Sequence, residues 1–120
     1  MLQKINLAEK FTRFRTQWDP KIIGELNGQY VKLARIQGEF IWHQHDNEDE
    51  LFMVVEGSFN MLLRDGAVPV HQGELIIIPR GVEHCPAADS EALILLFEPK
   101  SVVNTGDKQS ERTVSNPEII

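Results

Sequence analysis

The stretch HQHDNEDELFMVVEG, residues 43 to 57, decides how this chain is read. Two histidines one residue apart precede a run of acids, and an apolar segment then ends at glycine. In an extended strand alternate side chains share a face. Ile41, His43 and His45 then point one way, and Phe40, Trp42 and Gln44 the other. The Cα atoms of the two histidines would stand roughly 6 to 7 Å apart on one side of the sheet, so both imidazoles can tilt toward a single ion. A His-x-His pair is also common on surface strands, so the neighbours have to discriminate. Asp46, Asn47, Glu48 and Asp49 read as a solvated turn. Glu50 differs because it opens the next strand. If that strand returns beside the histidines, the carboxylate needs partners there, and a cation supplies them. Glu48 is the alternative donor if the turn differs in length by two residues.

Outward from this stretch the pattern is almost entirely strand. Asn27-Gly28 sits between two apolar-rich runs, a strong hairpin signal because both turn residues must tolerate positive φ. "FNMLLRDGAVPV" repeats the device with Asp65-Gly66, and Pro69 in its second arm predicts an edge strand or a bulge. "GELIIIPRG" is a β-branched run closed by a Pro-x-Gly turn, and "EALILLFEP" is a buried strand stopped by Pro99. Asn6 followed by Glu9 resembles a capping box, which predicts one short helix over "LAEKFTRF". Roughly eight strands with turns every 8 to 12 residues favour a sandwich or barrel over a parallel sheet. The expected organisation is an entry segment over 1–20, an all-β barrel over 21–99, and a polar tail over 100–120, either mobile or draped on the surface.

Composition narrows the function classes. At 120 residues, 42% of them hydrophobic, the chain has the size and the apolar content of one domain with one core. A net charge of −6 argues against generic nucleic-acid or anionic-membrane binding. No apolar run approaches the roughly 18 to 20 residues that span a bilayer, and the start "MLQKINLAEKF" reads as neither signal nor transit peptide. Cys85 is the only cysteine, which excludes an intramolecular disulfide and a cysteine-built metal site. The expectation is a cytoplasmic protein that binds no nucleic acid and no membrane.

A third histidine, His84, follows Pro79-Arg80-Gly81-Val82-Glu83. Alternation places it on one face with Val82, with Glu83 and Cys85 opposite, and only a closed sheet would bring it to the first two. At this point the residues resemble the cupins. The first motif of that family is matched by Gly38, His43, His45, Glu50 and Gly57, with four residues between His45 and Glu50 and six between Glu50 and Gly57. The second is matched by Gly73, Pro79, Gly81 and His84. Gly38 lies one residue nearer the first histidine than usual, which suggests a tightened turn, and Ala88 stands where the family has asparagine. The resemblance covers about residues 30 to 98, and the short stretch between the motifs, Ser58 to Gln72, looks like that of compact single-domain members. It implies a small jelly-roll barrel holding one divalent cation on His43, His45, Glu50 and His84, and a homodimer paired through sheet faces.

Three imidazoles and one carboxylate suit Fe, Mn, Ni, Zn, Co or Cu and disfavour Ca or Mg. Four protein donors in an octahedral shell leave two positions free, as a catalytic metal needs. The reading is therefore a metal-dependent oxygenase or isomerase acting on a small molecule inside the barrel. The alternative is a non-catalytic cupin that binds or senses a sugar-like or aromatic molecule. No catalytic side chain stands out. Arg80 reads as an exposed turn arginine, His71 as an exposed histidine and Cys85 as a buried thiol. Glu83 is aimed away from the metal. Trp42 reads as interface packing and Trp18 as packing at the entrance strand, while Phe52, Val54, Met61, Leu63, Ile76 and Ile78 line or underlie the barrel.

Overall fold

A computed structural model describes residues 2–120. One helix, α1 (Leu7–Phe11), precedes seven strands: β1 (Lys21–Leu26), β2 (Gln29–Glu39), β3 (Glu50–Glu56), β4 (Ser58–Leu63), β5 (Gly66–His71), β6 (Leu75–Ile78) and β7 (His84–Pro99). An eighth, β8 (Glu118–Ile119), lies within the polar tail and pairs with β1 in parallel. Half of the capping box forms: Asn6 Oδ1 accepts from the Glu9 N–H at 2.9 Å, while the Glu9 carboxylate accepts from Arg13 instead of the Asn6 N–H. The helix stops at Phe11, where the expected run continued to residue 14.

The sheet does not close into a ring. Its path runs β5-β4-β7-β2-β1-β8, and β3 branches off to pair with β6 and β7. What builds the barrel shape is the length of β7. Its first half pairs with β4, its second half with β3, and β2 runs antiparallel beside nearly all of it. The exposed Asp89, Ser90 and Glu91 interrupt its alternation at the bend. Two facing layers thus share the β2–β7 ribbon. The core between them takes Ala34, Ile36, Phe52, Val54, Ile94 and Leu96 from one layer, and Phe59, Met61 and Val70 from the other. Each large apolar side chain buried here contributes on the order of 1.5–3 kcal/mol. The six residues expected to line or underlie the barrel all belong to this cluster or pack against it.

The Asn27-Gly28 turn forms as expected, with φ of 50° and 75°. The second hairpin is offset by one residue. Leu63 pairs with Gly66, so Arg64 and Asp65 form the loop and Gly66 begins β5. β5 is an edge strand, which accommodates Pro69. Gly38 is not in a turn: it pairs with Ala88 beside a register shift after Ile36, at φ 79°, so the close spacing marks a bulge in β2. A second apolar cluster lies on the outer face, where Phe11, Phe14 and the chain end at Ile120 cover Ile23 and Leu33. Leu75 and Ile77 of β6 remain about half exposed. Among the described residues no helix is long and apolar enough to cross a membrane.

Candidate metal centre

The four expected donors converge. His43, His45, Glu50 and His84 are all buried, and one donor atom from each lies within 4.8 Å of the others. Ring closure of the sheet is not what joins them. The segment carrying His43 and the start of β7 form a direct antiparallel bridge: the His43 N–H donates to His84 O at 3.1 Å and the His84 N–H donates to His43 O at 2.9 Å. Glu50 also arrives differently from the expected route. Its strand β3 pairs with β6 and β7, not with the histidine segment, and brings the carboxylate in from the other layer. Glu48 stays outside and accepts a hydrogen bond from Ser101.

The atoms that face one another have no protein partner. His45 Nε2, His84 Nε2 and Glu50 Oε1 are buried without a hydrogen bond. The Glu50 oxygen stands 3.1 Å from His45 Nε2 and 3.4 Å from His84 Nε2. Adjacent donors on an octahedral ion with bonds of about 2.1 Å lie about 3.0 Å apart, so these separations suit one shared ion. The remote ring nitrogens are already engaged. His43 Nδ1 lies 2.9 Å from Ile41 O and His84 Nδ1 lies 2.8 Å from Val82 O. A carbonyl only accepts, so each Nδ1 carries the proton and each Nε2 presents a lone pair, the arrangement in which histidine binds a metal. The residues present therefore fit a divalent transition metal.

Electrostatics acts in opposite directions on the donors. Burial, with His84 close by, pushes the His43 pKa down to about 4. Burial also disfavours the charged form of His45, but the hydrogen bond and charge attraction that its protonated ring would make with Glu50 outweigh this and raise its pKa. For Glu50, burial is outweighed by the hydrogen bonds that Glu98, His45 and His84 would donate when protonated, which hold its carboxyl well below the usual range. In metal-free protein the two neighbouring histidines should therefore titrate apart, His43 near pH 4 and His45 above 6.5. A depressed histidine pKa means the unfolded chain takes the proton first, so the His43 contribution lowers stability as pH falls from 6.5 to about 4. His45 has the opposite sign. Its contribution is complete below pH 6.5 and is lost as pH rises through its folded pKa. Side-chain ¹⁵N NMR against pH reads the two rings separately, and coincident midpoints would contradict this assignment.

A narrow cavity opens beside the cluster. His43 and Glu50 form part of its wall, with Ala34, Ile36, Ile94 and Leu96 around them. Its half-buried rim is Trp18 stacked on Phe40, ring centroids 4.6 Å apart and 17° from parallel. Trp18 holds φ 57°, which bulky residues seldom adopt. Two hydrogen bonds fix it there, from its N–H to Arg35 O at 2.8 Å and from Nε1 to Gln37 O at 2.9 Å. The tail contributes to the wall through Asn104.

Sequence reading missed two charged residues. Lys32 and Glu98 are each 2% exposed and form an ion pair at 2.9 Å; Glu98 lines the cavity in contact with Glu50. Burial and the Glu50 charge push the Glu98 carboxyl well above its ordinary range. No N–H or O–H of another residue reaches its Oε2, which a proton shared with the Glu50 carboxylate would satisfy. The other candidates fall outside the site. Arg80 is exposed and 3.7 Å from Asp49, and Glu83 pairs with Arg64 at 3.1 Å. Trp42 lies under the Arg64 guanidinium, 3.9 Å from its ring centre. Val82 lies before β7 and is 36% exposed, not on the His84 face, while His71 is exposed and Cys85 is fully buried.

Residues 30–99 match the Cupin domain family. The chain belongs to the cupins. A cupin-2 domain protein from Shewanella frigidimarina is 42% identical, with a TM-score of 0.79 over 80% of this chain and 94% of that one. The protein NMB1881 from Neisseria meningitidis is 27% identical, with a TM-score of 0.75 over 82% of this cupin and all of that chain. The uncharacterized protein YdbB of Bacillus subtilis is 38% identical over 63 residues, which span 52% of this chain and 56% of that relative. These likenesses establish the fold and the family and leave the reaction to the chemistry of the site.

Proposed function

We propose that this cupin holds one divalent transition metal on His43, His45, Glu50 and His84 and acts as an oxygenase on a small, largely apolar molecule. The observation that carries this reading is the cavity, whose wall joins two of the four donors to aliphatic side chains under an aromatic rim. A sugar-phosphate isomerase needs cations for the phosphate and polar groups for several hydroxyls. Lys32, beside this cavity's polar wall, is neutralised by Glu98, and Arg112, whose guanidinium lies 5.8 and 5.7 Å from the Trp18 and Phe40 ring centres, sits at the rim and is not among the lining residues.

A metal held on His43, His45, Glu50 and His84 would supply a Lewis acid for substrate and co-reactant. The chain's residues do the rest. The Ile41 and Val82 carbonyls fix the tautomers and orientations of His43 and His84. The aliphatic wall keeps water from the reacting atoms, which strengthens every electrostatic interaction there.

The test loads the full chain with Fe(II) and follows oxygen consumption with catechols, thiols and flavonols, alongside sugar phosphates assayed for isomerisation. Uptake that depends on one of the first group is expected. Isomerisation without oxygen uptake, or tight binding with no turnover across the panel, would overturn the reading.

A further inference from the structure

Arg112 of the tail carries a positive charge at the cavity mouth and has no counter-charge there. Its guanidinium carbon stands 5.8 Å from the Trp18 ring centre and 5.7 Å from that of Phe40, so it borders both stacked rings. Such contacts hold an arginine in place and leave its charge available. Among the described residues it makes one side-chain hydrogen bond, from Nη1 to Glu39 O at 3.0 Å, and no ion pair. Arg13, Arg35, Arg64 and Arg80, by contrast, each face a carboxylate. The Glu39 carboxylate lies toward Cys85, 3.9 Å from its Sγ. A guanidinium has five N–H donors, so most of them remain for a ligand.

The surroundings fix this charge at the mouth. Asn104 lines the cavity, and its side chain donates to Arg112 O at 2.9 Å and accepts from the Val114 N–H at 2.8 Å. The backbone that carries Arg112 is thereby tied to the cavity wall. Trp18 holds φ 57°, a strained conformation that persists only where its surroundings over-determine it, and this sets the indole against Phe40 and Arg112. Deeper in, Ala34, Ile36, Ile94 and Leu96 would strip water from a charged group, so a charged end costs least at the rim.

We infer that Arg112 determines specificity by pairing with a carboxylate of the substrate, whose apolar body fills the cavity and whose charged end stays at the Trp18–Phe40 rim. This deepens the proposed function and rests on it for the location of the substrate. One guanidinium matches one carboxylate, whereas a sugar-like body would leave its hydroxyls against aliphatic walls.

The test uses the full chain loaded with zinc, which is redox-silent. Calorimetric titration compares phenylacetate, 3-phenylpropionate and 4-phenylbutyrate, each beside its uncharged primary amide. The best-fitting carboxylate should bind at least about tenfold tighter than its amide, the lower end of what a hydrogen bond to a charged group contributes. Added salt should shrink that ratio, because the pair is exposed. Arg112→Met removes the charge and keeps an unbranched side chain against the rings, and its ratio should fall to within about twofold. Arg112→Lys keeps the charge without the planar fork and should retain a ratio of about threefold or more. The amides need no cation and should bind all three proteins within about twofold of one another.

A carboxylate preference that Arg112→Met leaves unchanged would assign the charge to the zinc ion and overturn the inference. Failure of all three carboxylates to bind would overturn it as well. A preference lost equally in Arg112→Lys would reduce the arginine to packing against the rings, with the same result. Zinc content measured on the same samples separates this from the metal reading. If the chain takes no zinc yet discriminates through Arg112, the metal reading fails and this inference stands. If zinc binds and discrimination ignores Arg112, the reverse holds.

Discussion

His84→Ala protein should emerge from purification nearly free of metal, with an affinity at least about 100-fold below that of the wild type. Loss of an outer-sphere partner alone costs 10- to 100-fold at such sites, and His84 offers a donor atom itself. The geometry makes the effect specific. His84 Nε2 is buried without a protein partner, 3.4 Å from Glu50 Oε1, so no neighbour takes over its position. His43→Ala should behave alike, because it removes a donor from the same cluster. His71→Ala is the control, since His71 lies exposed on the edge strand β5 and outside that cluster. Elemental analysis of protein made without a histidine tag, with denaturation curves to confirm folding, decides the matter. Equal metal in all three variants would remove the basis for the proposed chemistry.

Much of this site was legible because its signals are local. The spacing of His43, His45 and Glu50 needs only strand alternation and a turn to become a prediction, and Asn27-Gly28 specifies its hairpin through two positive φ angles. His84 was legible only through the joint motif, because the bridge to His43 is a pairing between segments that no periodicity encodes. The offset second hairpin shows a similar limit: whether Gly66 ends the turn or starts β5 depends on its register with β4. Lys32 and Glu98 did leave a trace. Lys32 is in phase with the buried Ala34 and Ile36, and Glu98 with Ala92, Ile94 and Leu96. A charged residue in step with a core-facing row is a signal for a buried ion pair, but only once the strand's face is known. The tail was the least legible. Its polar composition hides Val102 and Thr105, which are buried, and gives no hint that Asn104 reaches the cavity.

That tail leads to the second large effect, expected from Gly106→Ala. Gly106 has φ 57°, where an alanine is strained by about 1 kcal/mol. Its backbone lies directly against the histidine segment. A Cβ there would overlap the Gln44 carbonyl oxygen and come within 3.0 Å of His43 Cδ2. Neither neighbour yields easily. Gln44 O accepts from the Asp107 N–H at 3.0 Å, and the Gln44 N–H donates to Asp107 Oδ1 at 3.0 Å, so Gln44 and the tail clasp each other. His43 is held by its bridge to His84. The methyl group must therefore displace either the tail or the ligand segment, at a total cost of roughly 2–4 kcal/mol. Asp107→Ala, which removes one side-chain acceptor and adds no clash, should cost only about 1 kcal/mol. Chemical denaturation of the two variants measures the difference. Metal titration shows which side moved, since a displaced tail leaves the four donors in place and a displaced His43 weakens binding. A Gly106→Ala protein as stable as the wild type would mean that the tail is not clasped against the site, and Asn104 would then have no fixed place in the cavity wall.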